Sequence, residues 1–164
     1  MTQRKSPTYI LNPADAFERY AEMVYRLAFV RTGNESDADD ILSEVFLRLM
    51  KNSHKITNET HLKAWLLRVT VNCSNSLLTA LHRRRCVAYE EAQCGVTSEE
   101  NPVLPAVLAL KPNQRTVVYM YYYEGYSVEE ISEICSVPVG TVKSRLARAR
   151  EELRRELKGD GPNV

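Results

Sequence analysis

The sequence predicts an all-α fold of two small helical domains joined by a flexible linker, the C-terminal one with a helix-turn-helix. Three observations predict it. Apolar residues recur at steps of three and four along most of the 164 residues, and no stretch reads as a sheet. An acidic, breaker-rich stretch interrupts that period past the middle of the chain. Near the C-terminus, a Ser-x-x-Glu helix opening precedes a tight turn and a second helical stripe. The expected divisions are a domain at 1–85, a linker at 86–105, a second domain at 106–158 and a tail at 159–164, frayed from Gly159 onward.

Pro13 opens the first helix, which turns Phe17, Tyr20, Val24, Leu27 and Ala28 inward, until Gly33 and Asn34 break it. Ser36 stands as the next N-cap, with acidic residues in the first turn complementing the helix dipole. The second helix carries Ile41, Leu42, Val45, Phe46 and Leu49 inward. Asn52 to Thr60 is polar, lacks a period and reads as a loop. A long helix from about His61 to Arg84 buries some of Leu62, Trp65, Leu66, Val69, Val71 and Leu77. From Cys86 to Pro105 the pattern fails among Glu90, Glu91, Gly95, Glu99, Glu100 and Pro102. A short helix near Pro105–Leu110 follows, then a break at Lys111 and Pro112. The next helix, Asn113 to Glu124, is closed by Gly125 and has Val117, Val118, Tyr121 and Tyr122 on its core face. The Tyr-rich run could stack on bases, but at helical spacing packing is the commoner use of such residues.

Composition narrows the function. No apolar run approaches the ~20 residues that a membrane span needs, and Arg4-Lys5-Ser6-Pro7 is no signal peptide. The protein is therefore expected to remain in the cytoplasm, with no membrane insertion of its own. Cys73, Cys86, Cys94 and Cys135 form no CxxC pair, and His82 with Cys86 offers only two ligands, so neither metal nor cofactor is expected. Net charge is +1, yet the signs are segregated. Every charge between Thr32 and Leu47 is acidic; Arg83 to Arg85 are all basic, and Val139 to Lys158 holds seven Lys or Arg against three Glu. Separate surfaces for separate partners are implied.

The C-terminal motif can be read residue by residue. Ser127 and Glu130 form a capping box, and Val128, Ile131 and Ile134 give a short apolar face. Ser136-Val137-Pro138 turns the chain, and a new helix starts near Val139. At about 100° per residue, Val142, Leu146, Ala149, Leu153 and Leu157 share one side, with Ser144, Ala147, Arg148 and Glu151 roughly opposite. Lys143 and Arg150 lie on one flank and Arg145 on the other. Small residues let such a helix approach a major groove, where Arg148 can read a guanine and the flanking cations can hold phosphates.

The segments SVEEISEI at 127–134 and PVGTVKSRLARAR at 138–150, with LKPNQR at 110–115, resemble region 4 of the extracytoplasmic-function (ECF) sigma factors. DADDILSEVFLRL at 37–49 resembles region 2.2, and LKAWLLRVTVN at 62–72 through Arg85 resembles regions 2.3 to 2.4. The resemblance runs from about Ala14 to Leu157. It implies a sigma factor whose partners are core RNA polymerase, through the clamp helices of the largest subunit and the flap of the second, promoter DNA and an anti-sigma factor. It assigns Asp39, Asp40, Ser43, Glu44 and Arg48 to the polymerase, with Ser43 standing where the family usually has Gln. His54, Lys55, His61, Lys63, Arg68 and Asn72 become candidates for opening the −10 element, and Arg83, Arg84 and Arg85 for clamping its backbone. Trp65 could stack on a base, although core packing is the commoner role. Thr141, Lys143, Ser144, Arg145, Ala147, Arg148 and Arg150 fall at −35 positions, with Ala147 smaller than the usual residue. Ser136 replaces the family's turn glycine. The competing readings are a stand-alone helix-turn-helix regulator, which predicts duplex binding at a palindrome without polymerase, and an enzyme, for which no phosphate loop or nucleophile elbow is present.

Overall fold

The structure, a computed structural model, describes residues 9–85 and 103–159. The expected linker as far as residue 102, with Cys86 and Cys94, lies outside the described residues, as do Arg4-Lys5-Ser6-Pro7 and the tail from residue 160. Every regular element among the described residues is helical.

Helix α1 (Pro13–Thr32) starts as expected, with Pro13 in its first turn and the Asn12 side chain accepting from the Ala14 N–H at 3.0 Å. Gly33 closes it at φ 67°, a left-handed conformation that glycine adopts at little cost. Val24, Leu27 and Ala28 are buried, but Ala16 occupies the inward position expected of Phe17. Phe17 is 46% exposed and rests edge-on against Phe46, ring centroids 4.9 Å apart. Helix α2 (Glu35–Asn52) begins two residues before the start that a Ser36 cap implies. Asn34 already holds extended backbone, so its side chain takes the Asp37 N–H at 2.9 Å and Ser36 falls inside the first turn.

The stretch expected as a loop holds a 3-10 turn (Ser53–Lys55), and α3 (Glu59–Arg85) begins within it. Leu62, Leu66 and Val71 point inward as expected, and Trp65, Val69 and Leu77 are half-buried against the same core. Leu67, Thr70, Cys73 and Ser74 are buried as well. The two hydroxyls donate back to Leu66 O and Thr70 O at 2.7 Å, which satisfies them inside the helix. Truncating a fully enclosed side chain such as Leu27, Leu49 or Leu66 to Ala would cost about 2–5 kcal/mol.

The second group begins at α4 (Val103–Ala109), which takes the last three residues of the span expected to be linker. Pro105 fits there because a helix's first turn needs no N–H from it. Helix α5 (Pro112–Val118) continues as a π-helical turn, Tyr119–Tyr123, ahead of Gly125 at φ 74°. The wider turn rotates the following side chains away from the 3.6-residue register. Tyr119 and Met120 are therefore buried beside Val117 and Val118, while Tyr121 and Tyr122, expected in the core, are 38% and 56% exposed. Helix α6 (Val128–Cys135) carries both capping-box bonds: Ser127 Oγ accepts from the Glu130 N–H at 3.2 Å and Glu130 Oε2 from the Ser127 N–H at 2.8 Å. Ser136 then turns the chain at φ 54°, ψ 46°, a left-handed conformation that costs a side-chain-bearing residue about 1–2 kcal/mol. Helix α7 (Val139–Leu157) buries Val142, Leu146 and Ala149; Leu153 is half-buried, and Leu157, expected inward, is 55% exposed beyond the last neighbouring helix.

The two helical groups are docked on each other, a feature that the periodicity does not foretell. Arg115 of α5 donates to Val30 O (3.0 Å) and Arg31 O (3.3 Å) at the C-terminal end of α1. In return, Arg68 of α3 donates to Glu133 O (2.8 Å) and Ile134 O (3.4 Å) at the end of α6. Each arginine thus supplies donors to carbonyls in the last turn of a helix, at the negative end of its dipole. Between these caps Arg31, 1% exposed, donates to Thr116 and Asn75. Burial pulls its guanidinium down to about 10, because water no longer stabilises the charge, and the neighbouring Arg115 and Arg145 add to the effect.

Candidate nucleic-acid interface

Three surfaces carry the candidate residues. The first is the outer face of α2, where Asp39, Asp40 and Ser43 are exposed and Glu44 is half-buried. Steps of four residues align Asp40, Glu44 and Arg48, and Arg48 Nε meets Glu44 Oε1 at 2.6 Å. Ser43 Oγ turns back to Asp39 O at 3.0 Å. Beside these polar groups Leu47 and Met50 are 53% and 63% exposed. The sequence reading passed over both residues; their position off the apolar stripe of an otherwise regular amphipathic helix was the signal. An acidic patch with accessible apolar side chains suits a basic protein surface better than it suits DNA.

The second surface comprises the turn after α2 and the outer side of α3. His54 and Lys55 project from the 3-10 turn and are exposed. His61 is partly used within the loop: its Nδ1 accepts from the Thr57 N–H at 3.3 Å, while Asn58 Oδ1 caps the His61 N–H at 2.8 Å. Asn72 and Arg83 are exposed; the side chains of Arg84 and Arg85 lie outside the described residues. Lys63 and Arg68 are not free for a ligand. Lys63 Nζ lies 3.1 Å from Glu124 Oε2 and 5.4 Å from the centre of the Tyr126 ring, while the Arg68 guanidinium caps α6. The structure therefore does not gather this set into one open face; the second helical group takes two of its cations. Trp65 is half-buried against the core.

The third surface is the exposed side of α7. Lys143, Ser144, Ala147 and Arg148 are all exposed, and Ser144 Oγ is held back on Thr141 O at 3.0 Å, which keeps the strip low. Arg150 Nη1 donates to Tyr122 Oη at 3.4 Å. Arg145 departs from the set: it is half-buried and turned toward α3, where it lines a cleft between the two groups. Thr141 is half-buried in the first turn. A helix held by the capping box and tight turn, with small residues between cations, has the form of a major-groove reader. Among the described residues no group of three His, Cys, Asp or Glu side chains is placed to hold a metal, and no helix is long and apolar enough to cross a membrane.

A family profile described as Sigma-70 region 2 matches residues 16–85, and one described as Sigma-70, region 4 matches residues 102–153. The chain is 29% identical over 168 residues to the ECF RNA polymerase sigma factor SigW of Bacillus subtilis, with 88% of each chain covered. It is 30% identical over 159 residues to the ECF RNA polymerase sigma-E factor of Haemophilus influenzae, covering 85% of this chain and 84% of that protein. Its fold is similar to that of the sigma factor RpoE solved in complex with the anti-sigma factor NepR from Bartonella quintana. That likeness has a TM-score of 0.74 at 20% identity and covers 90% of this chain and 98% of the other.

Proposed function

The chain belongs to the ECF group of RNA polymerase sigma factors, and from that premise we propose which of its surfaces performs each part of promoter-specific transcription initiation. As an alternative sigma factor it joins core polymerase and directs it to a subset of promoters. The observation that carries this over a stand-alone regulator is the pairing of the two family matches, at 16–85 and 102–153, in one chain.

Asp39, Asp40, Ser43, Glu44 and Arg48, with Leu47 and Met50 beside them, dock on the clamp helices of the largest polymerase subunit. The turn bearing His54 and Lys55, with His61, Lys63, Arg68 and Asn72, holds the −10 strand as a base leaves the stack, an extrusion that costs a few kcal/mol. Arg83, Arg84 and Arg85 grip its backbone. Lys143, Ser144, Ala147 and Arg148 read the −35 element, and Thr141, Arg145 and Arg150 hold its phosphates. The helical group at 103–159 also meets the flap of the second large subunit. The chain acts on the chromosome in the cytoplasm, without catalysis of its own. An anti-sigma protein that binds both helical groups is the natural external control.

The docked arrangement is the resting form in this reading. With Lys63 and Arg68 engaged by the other helical group, the −10 face is incomplete until the groups separate on core polymerase. Run-off transcription with purified core enzyme, on promoters selected from a genomic library, tests the function. Initiation at defined start sites is expected, and it should disappear when Asp40→Lys and Glu44→Lys are combined, together with co-purification with core. Binding to a palindromic duplex without core, and no RNA on any template, would instead favour the regulator.

A further inference from the structure

Between the two helical groups lies an open cleft of about 650 Å³. Its walls bring together Arg31 and His82 from one group with Lys111, Arg145 and Arg148 from the other. One acidic side chain among the described residues, Glu152, shares the wall, and it already accepts a hydrogen bond from Gln114 Nε2 at 3.0 Å. Docking therefore crowds like charges across the seam, an arrangement that costs energy unless something neutralises it. Arg31 adds a second observation: it is 1% exposed, its terminal nitrogens are held by Thr116 and Asn75, and it acts on the cleft as a buried positive charge whose enclosed Nε has no hydrogen-bond partner among the described residues. A volume of this size is in the range of small-ligand sites, and guanidinium groups match phosphate oxygens in geometry.

We propose that this cleft binds a free oligophosphate anion, of the class of inorganic tripolyphosphate or a nucleoside polyphosphate, and that the bound anion holds the two helical groups together. The anion bridges cations contributed by both groups, so it binds the docked form and not the separated one. By mass action it stabilises closure and withdraws Arg145 and Arg148 from DNA. The regulatory consequence rests on the sigma-factor reading; the binding itself does not, and it is measured without polymerase.

Isothermal titration of the full chain with inorganic tripolyphosphate, at fixed ionic strength, tests the site. Saturable binding of one anion per chain is expected, weakened at least about tenfold by combining Lys111→Glu with Arg148→Glu. Both positions are exposed, so the fold should survive. Arg154→Glu with Arg155→Glu removes the same charge from exposed positions outside the cleft and should leave the affinity unchanged. Hydrogen exchange supplies the second readout: tripolyphosphate should slow exchange where α3 meets α6, and a short DNA duplex should not. The proposal is overturned by absent binding, by several anions per chain, by equal losses in both variants, or by protection from the duplex alone.

Discussion

The outer face of α7 and the outer face of α3 are both cationic helix surfaces, yet the structure treats them oppositely. On α7, Lys143, Ser144, Ala147 and Arg148 stand exposed on a helix fixed by its own motif. On α3, Lys63 is paired with Glu124 and Arg68 is spent on the carbonyls of α6. The exposed strip of α7 keeps its side chains open, whereas two cations of α3 are taken up by the other group. A pattern of residues thus fixes which charges a surface carries, and its packing partners fix which of them stay open.

The largest expected effect lies on the open face. Arg148→Ala should reduce transcription from a promoter with its cognate −35 element by about tenfold to a hundredfold, the worth of a bidentate guanine contact. Promoters with a scrambled −35 element should change little, and core binding should hold; an equal loss on both templates would remove the assignment. On the covered face, Glu124→Gln removes the charge that holds Lys63 but keeps an acceptor for the Tyr119 hydroxyl. Loosening the seam by about 1 kcal/mol should raise the free chain's binding to a single-stranded −10 oligonucleotide several-fold, read by fluorescence anisotropy. Unchanged binding would mean that the seam does not limit α3.

Smaller effects test the scaffolds. Ser136→Gly relieves a left-handed serine ahead of α7 and should stabilise the protein by about 0.5–1 kcal/mol, raising Tm by about 2–3 °C. No gain would show that the turn is unstrained. In the first turn of α3, Glu59 accepts from Tyr20, Tyr9 and Arg19, bonds that hold its carboxyl below the usual range. A depressed carboxylate stabilises the fold above its unfolded pKa and ceases to do so as the pH falls through its folded value. Glu59→Gln should therefore lower Tm by about 2 °C at neutral pH, with the gap closing at and below about pH 4 in thermal scans.

Helix order, the inward stripes and the recognition motif were legible because each follows from local spacing. The Ser127 box needed no tertiary information. Local errors have local causes: Asn34 outcompetes Ser36 as a cap because it already sits in extended backbone, and a single π turn moves Tyr121 and Tyr122 outward. The docking was not legible. A buried Arg31 reads in sequence as one more charge at the end of an amphipathic helix, and a carbonyl acceptor leaves no trace in composition. Lys63 and Arg68 were thus legible as cations but not as cations already in use.

The crossed arginine caps have one more consequence. The atoms that receive Arg115 and Arg68 belong to the main chain of residues 30, 31, 133 and 134, so no exchange of side chain at those positions deletes an acceptor. Within these four hydrogen bonds, an exchange of side chain removes a partner only at residue 68 or 115. Under the proposed resting form, screens for constitutively active variants should recover changes at these two positions as well as at Glu124.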